Sequence, residues 1–273
     1  MYRYRNRLEL LNIYGAIGAL LIGIILGLTG GGGSILTVPI MVYVLHVHPI
    51  TATAYSLFVV GTTAFVGTIR NAKKNLIEYK TALVFAIPSF LAVYFTRIYL
   101  LPSIPDILFT SNEFVFTKAL GIMVFLASLM LFASVSMIKS RKQVISDTKR
   151  FNYSLIIIEG FIVGLLTGIV GVGGGFLIIP ALVFFANLPM KKAVATSLLI
   201  ISVKSLFGFL GDIGIIEINW TFLLSFTSIS VTGILIGIWF NNFINVQQLK
   251  KGFGVFVFVM AIVILFKELY LIY

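Results

Sequence analysis

Two glycine clusters inside long apolar runs constrain this chain more than any other feature. One is Gly27-Leu-Thr-Gly-Gly-Gly-Gly-Ser-Ile-Leu-Thr-Val-Pro39; the other is Gly168-Ile-Val-Gly-Val-Gly-Gly-Gly-Phe-Leu-Ile-Ile-Pro180. A glycine in a helix interior costs about 1 kcal/mol relative to alanine. Four or five together break a helix. Broken backbone at membrane depth is tolerated only where it is buried in protein or lines a cavity. The clusters therefore mark the working centre of the molecule.

That the surroundings are membrane follows from composition. The chain of 273 residues is 59% hydrophobic and only 11% charged, with a mean hydropathy of +1.09. Ordinary soluble domains carry about 25% charged residues. The apolar runs are too long and continuous for alternating barrel strands, so the chain reads as an all-α polytopic membrane protein of the cell inner (plasma) membrane. The basic N-terminus is followed by an apolar run without a small-x-small cleavage site, and reads as the first membrane segment. Net charge is +11, but the lysines and arginines fall in short connectors. They mark topology by the positive-inside rule and form no nucleic-acid face. With no cysteine, disulfide and thiolate chemistry are excluded.

Apolar segments fall at 11–28, 34–46, 51–69, 80–101, 115–138, 154–170, 175–187, 193–210, 219–241 and 250–272. A full crossing takes roughly 17–25 residues. Segments 34–46 and 175–187 are too short to span upright and directly follow the glycine clusters, so they read as the second arms of re-entrant hairpins. A shift of 141 residues superimposes Gly27 on Gly168, Gly30 on Gly171, Gly33 on Gly174 and Pro39 on Pro180. Without a gap it also places Ala54 on Ala195, Ser56-Leu57 on Ser197-Leu198 and Gly67 on Gly208. The chain is thus expected to be two homologous transmembrane repeats, 8–138 and 152–273, joined by a linker, 139–151. Each repeat is a glycine-broken hairpin plus three spanning helices.

The linker is strongly basic and so expected to be cytoplasmic. Stepping along the chain then puts 70–79, Lys191-Lys192 and Lys250-Lys251 inside, and 102–114 and 211–218 outside. Each half makes an odd number of crossings, so the halves are expected to be inverted-topology repeats. This scheme leaves the arginine-rich N-terminus outside; an N-in first half would instead give parallel repeats.

A helix that starts at mid-membrane aims unpaired N–H groups and a positive dipole end into the cavity, which is an anion site. Starts are expected at Gly33-Ser34 and Gly174-Gly175, with Gly32 and Gly173 beside them. The bland alternative is close helix contact through small residues. Lys204, deep in segment 193–210, would be costly there unless neutralised, either by a bound anion or by a carboxylate such as Glu159 or Asp212. Hydroxyls at helical spacing can replace the water shell of an oxyanion. Ser56, Thr63, Ser197 and Ser205 are candidates, although such groups also bond back to their own helix. Glu159 is a candidate proton-coupling carboxylate; it could equally stay near the interface and pair with linker lysines. Asn71 and Asp212 hold matching positions that would cap helices or line a pore mouth. His46 and His48 are too few for a metal site and read as a helix end. No nucleotide phosphate loop, cofactor motif, metal set or catalytic constellation is present.

These residues resemble the TauE/SafE family of sulfite exporters and anion permeases, also called TSUP. The family hallmark is a Gly-x-Gly-Gly-Gly-x-x-x-x-Pro stretch in each half: here Gly171–Pro180, with Gly30–Pro39 as the variant copy. Thr196-Ser-Leu198, Glu217-Ile-Asn-Trp220 and Gln248-Leu-Lys-Lys-Gly-Phe-Gly254 extend the likeness along nearly the whole chain. Ser34 and Tyr55-Ser56 depart from the family's glycine and Thr-Ser. The resemblance implies outward transport of small sulfur oxyanions or organosulfonates, coupled to a proton or another ion. The expectation is therefore a secondary transporter and not an enzyme, working by alternating access on a small anion in the lipid bilayer. The alternatives are a passive anion channel and a non-transporting membrane enzyme or assembly subunit. The substrate, the coupling ion and the oligomeric state are not set by the sequence.

Overall fold

In the computed structural model, residues 13–111, 114–139, 153–241 and 246–270 are described. The basic N-terminal tail and most of the linker at 139–151 lie outside them. The elements are α1 (Ile13–Thr29), α2 (Gly32–Val44), α3 (Pro49–Ala72), α4 (Tyr79–Ser103), β1 (Ile107–Ser111), β2 (Phe114–Thr117), α5 (Lys118–Ile138), α6 (Tyr153–Val170), α7 (Gly175–Phe184), α8 (Met190–Leu210), α9 (Trp220–Phe240) and α10 (Val246–Tyr270). Among the described residues seven helices are long and apolar enough to cross a membrane: α3, α4, α5, α6, α8, α9 and α10. α1, α2 and α7 are shorter. The molecule is an all-α polytopic membrane protein with a broken hairpin and three long helices in each half.

The hairpins follow from backbone chemistry. Gly30 and Gly31 sit at φ 72° and 147°, and Gly171 and Gly174 at 71° and 70°, conformations that side-chain-bearing residues avoid. The chain reverses there. α2 runs back along α1, so that Gly33 lies against Ile22 and Leu26, Gly18 against Ile40, and Gly15 against Leu45. Pro49 opens α3 at a position where a missing N–H costs nothing. Thr117 and Asn219 accept from the Leu120 and Phe222 N–H groups at the starts of α5 and α9, as capping residues do.

The two halves interlock. α1 lies parallel to α9, Gly23 against Gly233 and Gly27 against Gly237, while α6 lies parallel to α4, Gly160 against Phe85 and Gly164 against Ser89. Glycine lets these backbones approach closely. α3 crosses α8 antiparallel, with Leu57 against Gly208 and Leu198 against Gly67. These two contacts are images of each other under the 141-residue shift. In each, the leucine Cδ1 lies 3.2 Å from where a glycine β-carbon would stand. α5 and α10 meet where Met137 and Ile138 touch Gly254.

Two features differ from expectation. The connector 102–114 contains a two-stranded antiparallel hairpin whose Phe109 and Phe116 rings stack at 5.3 Å, so α5 starts only at Lys118. Its aromatic and β-branched residues suit strands. α7 stops at Phe184 rather than near 187, and Asn187 is left-handed at φ 50°. Also, α4 carries a wide π-type turn at Thr96–Leu100. Arg70, Lys73, Lys74, Lys191 and Lys192 share one end, called here the basic end; the β-hairpin and 211–219 lie at the other.

Candidate functional site

The two chain breaks meet at the crossing of α3 and α8. Gly31 and Gly175 touch backbone to backbone, and a β-carbon on Gly173 would come within 2.9 Å of Ser34 Cβ, beside Val60 and Ile201. The first helix begins at Gly32, one residue before the expected Gly33-Ser34, and the second at Gly175 with Gly174 as its left-handed cap residue. The cap residue of neither start supplies a side-chain hydrogen bond. Gly32 N–H donates to Thr29 Oγ1 at 2.9 Å, and Gly33 is pressed against the backbone of α1. A cavity of about 20 Å3, room for one water, touches Thr29, Gly32 and Gly175.

Lys204 reaches this centre from α8. It is 0% exposed, and its Nζ would stand 3.2 Å from a β-carbon on Gly174. The ammonium donates to Thr167 Oγ1 at 2.5 Å, and Thr167 in turn donates to the Val163 carbonyl. No carboxylate neutralises it among the described residues: the ion pairs are Arg97–Asp212, Lys118–Asp106 and Lys192–Glu78. The structural alternative raised by the sequence, pairing with Glu159 or Asp212, is therefore not realised. An ammonium has three donors and one is used.

The candidate hydroxyls divide into two groups. Ser34 Oγ donates to the Gly31 carbonyl at 2.6 Å, and Ser197 Oγ has its single proton between the carbonyls of Gly30 at 2.5 Å and Val194 at 2.8 Å. A hydroxyl has one proton, so these two serines fasten the first break. Ser56, Thr63 and Ser205 are buried and their hydroxyls have no partner. Among the described residues no hydrogen bond joins Lys204 to Ser56, Thr63, Ser197 or Ser205. Glu159, on α6, is half-buried with Oε2 unpartnered.

A cavity of about 330 Å3 opens at the basic end, lined by Gly27, Asn71, Lys74, Lys191, Val194 and Asn241 among others. Val194, in its lining, lies against Gly30 at the tip of the first hairpin. Asn71, placed at a pore mouth by the sequence, lines it. Asp212 instead pairs with Arg97 at the other end, at 3.4 Å. Sequence reasoning passes over Arg97 and Thr167. A lone arginine inside segment 80–101 is the signal for the first; nothing distinguishes Thr167 until Lys204 is seen beside it. His46 and His48 are exposed at a helix end, and no metal-ligating group of three was found among the described residues.

Comparison with known proteins agrees with this architecture. The profile of the family described as sulfite exporter TauE/SafE matches residues 15–264. A "Probable membrane transporter protein" of Xylella fastidiosa (strain Temecula1) is 29% identical over 251 residues, covering 91% of this chain and 92% of that one. "Probable membrane transporter protein YunE" of Bacillus subtilis is 29% identical over 276 residues, covering 93% and 94%. "Probable membrane transporter protein MJ0441" of Methanocaldococcus jannaschii is 40% identical over 114 residues, 40% of this chain and 43% of its own. No solved structure gives a significant match. The chain belongs to the sulfite exporter TauE/SafE family, a family of multi-pass membrane transporters rather than enzymes.

Proposed function

We propose that this protein is a secondary transporter that exports small sulfur-containing anions, such as sulfite or organosulfonates, by alternating access. The observation that carries the reading is Lys204: a fully buried ammonium with no carboxylate partner, touching the start of a mid-chain helix at Gly174. An unneutralised buried cation is costly, and a helix N-terminus adds positive potential at the same spot. An oxyanion held there relieves both. Gly33, Gly173, Gly174 and Gly175 supply backbone, and Ser56, Thr63 and Ser205 supply hydroxyls without other partners; the Gly32 N–H is already held by Thr29 Oγ1. Ser34 and Ser197 hold the break in shape.

In this proposal residues 8–138 and 152–273 are inverted repeats about the cytoplasmic linker 139–151. The mirror contacts Leu57–Gly208 and Leu198–Gly67 between antiparallel helices support it. The basic end is then cytoplasmic, and the open cavity is the inner vestibule. Exposed apolar side chains such as Leu83, Ile87, Leu91 and Phe95 on α4 face lipid. Glu159, with an unpartnered buried oxygen, is the candidate for proton coupling.

The test is counterflow of labelled sulfite in proteoliposomes. Accelerated exchange against trans sulfite supports a carrier. Flux that only tracks membrane potential means a channel, and no flux with any small sulfur anion removes the transport reading.

A further inference from the structure

Arg97 is the largest side chain that the fold buries completely, yet only one of its nitrogens is used. Nη1 donates to Thr53 Oγ1 at 3.1 Å and to Asp212 Oδ1 at 3.4 Å. Nε and Nη2 are buried without a partner, as is Asp212 Oδ2. Nε–H and Nη2–H are parallel. They form the fork with which a guanidinium grips two oxygens of one planar or tetrahedral anion. Buried donors of a charged group are rarely left open, because each forfeits its hydration. The fork calls for an acceptor that the described residues do not provide.

Two independent observations set this place apart. Arg97 sits in one of the two π-type turns among the described residues, Thr96–Leu100, the other being Ile40–Val44, and such turns inside α-helices are frequent at functional sites. The charged trio also has no counterpart in the other half. The 141-residue shift takes Arg97 to Ile238, Asp212 to Asn71 and Thr53 to Val194. Those three residues line the open cavity at the basic end. One half thus has a cavity where the other places an arginine with two unpartnered donors.

We propose that Arg97 is a second oxyanion-binding residue, at the end of the pathway opposite the basic cavity. Its Nε–Nη2 fork takes two oxygens of a sulfite- or sulfonate-class anion. Asp212 and Thr53 hold Nη1, so the fork fills without breaking that ion pair. Lys204 and Arg97 are then successive stations for one anion. The class of ligand rests on the transport reading above; the existence of the site rests on the unpartnered fork.

The experiment is isothermal titration of the purified full chain with sulfite and with methanesulfonate, in wild type, Arg97→Lys, Lys204→Met and Asp212→Asn. Arg97→Lys keeps the charge and loses the fork, and is expected to weaken one binding event about tenfold, as for a lost charge-assisted pair. Lys204→Met is expected to retain that event. If Arg97→Lys does not give folded protein by size exclusion, Asp212→Asn decides. Removing the negative charge beside the fork is expected to tighten binding several-fold, and unchanged or weaker affinity overturns the site. Wild-type affinity in Arg97→Lys, with all binding lost in Lys204→Met, overturns the Arg97 site and leaves the transport reading standing. No binding to wild type overturns both.

Discussion

Gly31 and Gly175 meet with no room for a side chain on either. A β-carbon on Gly31 would lie 2.4 Å from the Cα of Gly175, and one on Gly175 would lie 2.2 Å from the Cα of Gly31. The two hairpins therefore lock each other at the centre of the molecule, through backbone alone.

Gly31→Ala and Gly175→Ala are each expected to destabilise the protein by several kcal/mol. Overpacking a tight contact alone costs about 1–3 kcal/mol, and Gly31 adds the strain of φ 147°. Gly252→Ala, in α10 with nothing within 4 Å of its β-position, is expected to gain up to about 1 kcal/mol. Thermal unfolding in detergent checks all three; Gly175→Ala melting with wild type would show that the contact yields freely.

Lys204→Met is expected to leave the melting temperature unchanged or raised, because it removes a buried charge that has one hydrogen bond. The stabilisation by sulfite is expected to shrink to the part that Arg97 supplies. In wild type a ligand at a hundred times its dissociation constant adds about 2.7 kcal/mol. An undiminished thermal shift in Lys204→Met takes Lys204 out of the site.

The two groups of serines are expected to behave oppositely. Ser197→Ala removes the tie to the Gly30 carbonyl and is expected to cost roughly 1 kcal/mol of stability. Ser205→Ala removes a hydroxyl without a partner and is expected to keep stability while weakening anion binding. Paired melting and titration curves test this; loss of stability in Ser205→Ala with unchanged binding contradicts it.

At the basic cavity, Lys74→Glu combined with Lys191→Glu reverses the charge at two lining positions. Entry of anions from that side is expected to slow several-fold at low salt. The effect should shrink as ionic strength rises, because such steering is screened over about 10 Å at 0.1 M. Initial flux rates at two salt concentrations measure it. A rate independent of both charges would separate the cavity from the pathway.

Structure also changes which comparisons are informative. From sequence, Gly174→Val is expected to harm function more than Gly164→Val, with Gly164 as a neutral control. Gly164 is pressed against α4, where a β-carbon would lie 2.4 Å from the Ser89 carbonyl. Both valines are expected to disrupt folding, so Gly252 is the better control.

What sequence alone determined here is what local chemistry controls. Glycine density fixed where the membrane helices break, because φ above zero is a property of single residues. Apolar length fixed the long helices and the short hairpin arms. The 141-residue self-match pointed to two related halves, and Lys204 was conspicuous as a charge in an apolar run. Tertiary structure decided the partners. That Lys204 finds Thr167 and no carboxylate, that Ser197 ties down Gly30, and that Arg97 meets Asp212 across 115 positions of chain all depend on which faces α4, α6 and α8 turn to one another. Hydrogen bonds and ion pairs act over about 3 Å, so they are set by the packed arrangement of helices, which no single segment encodes.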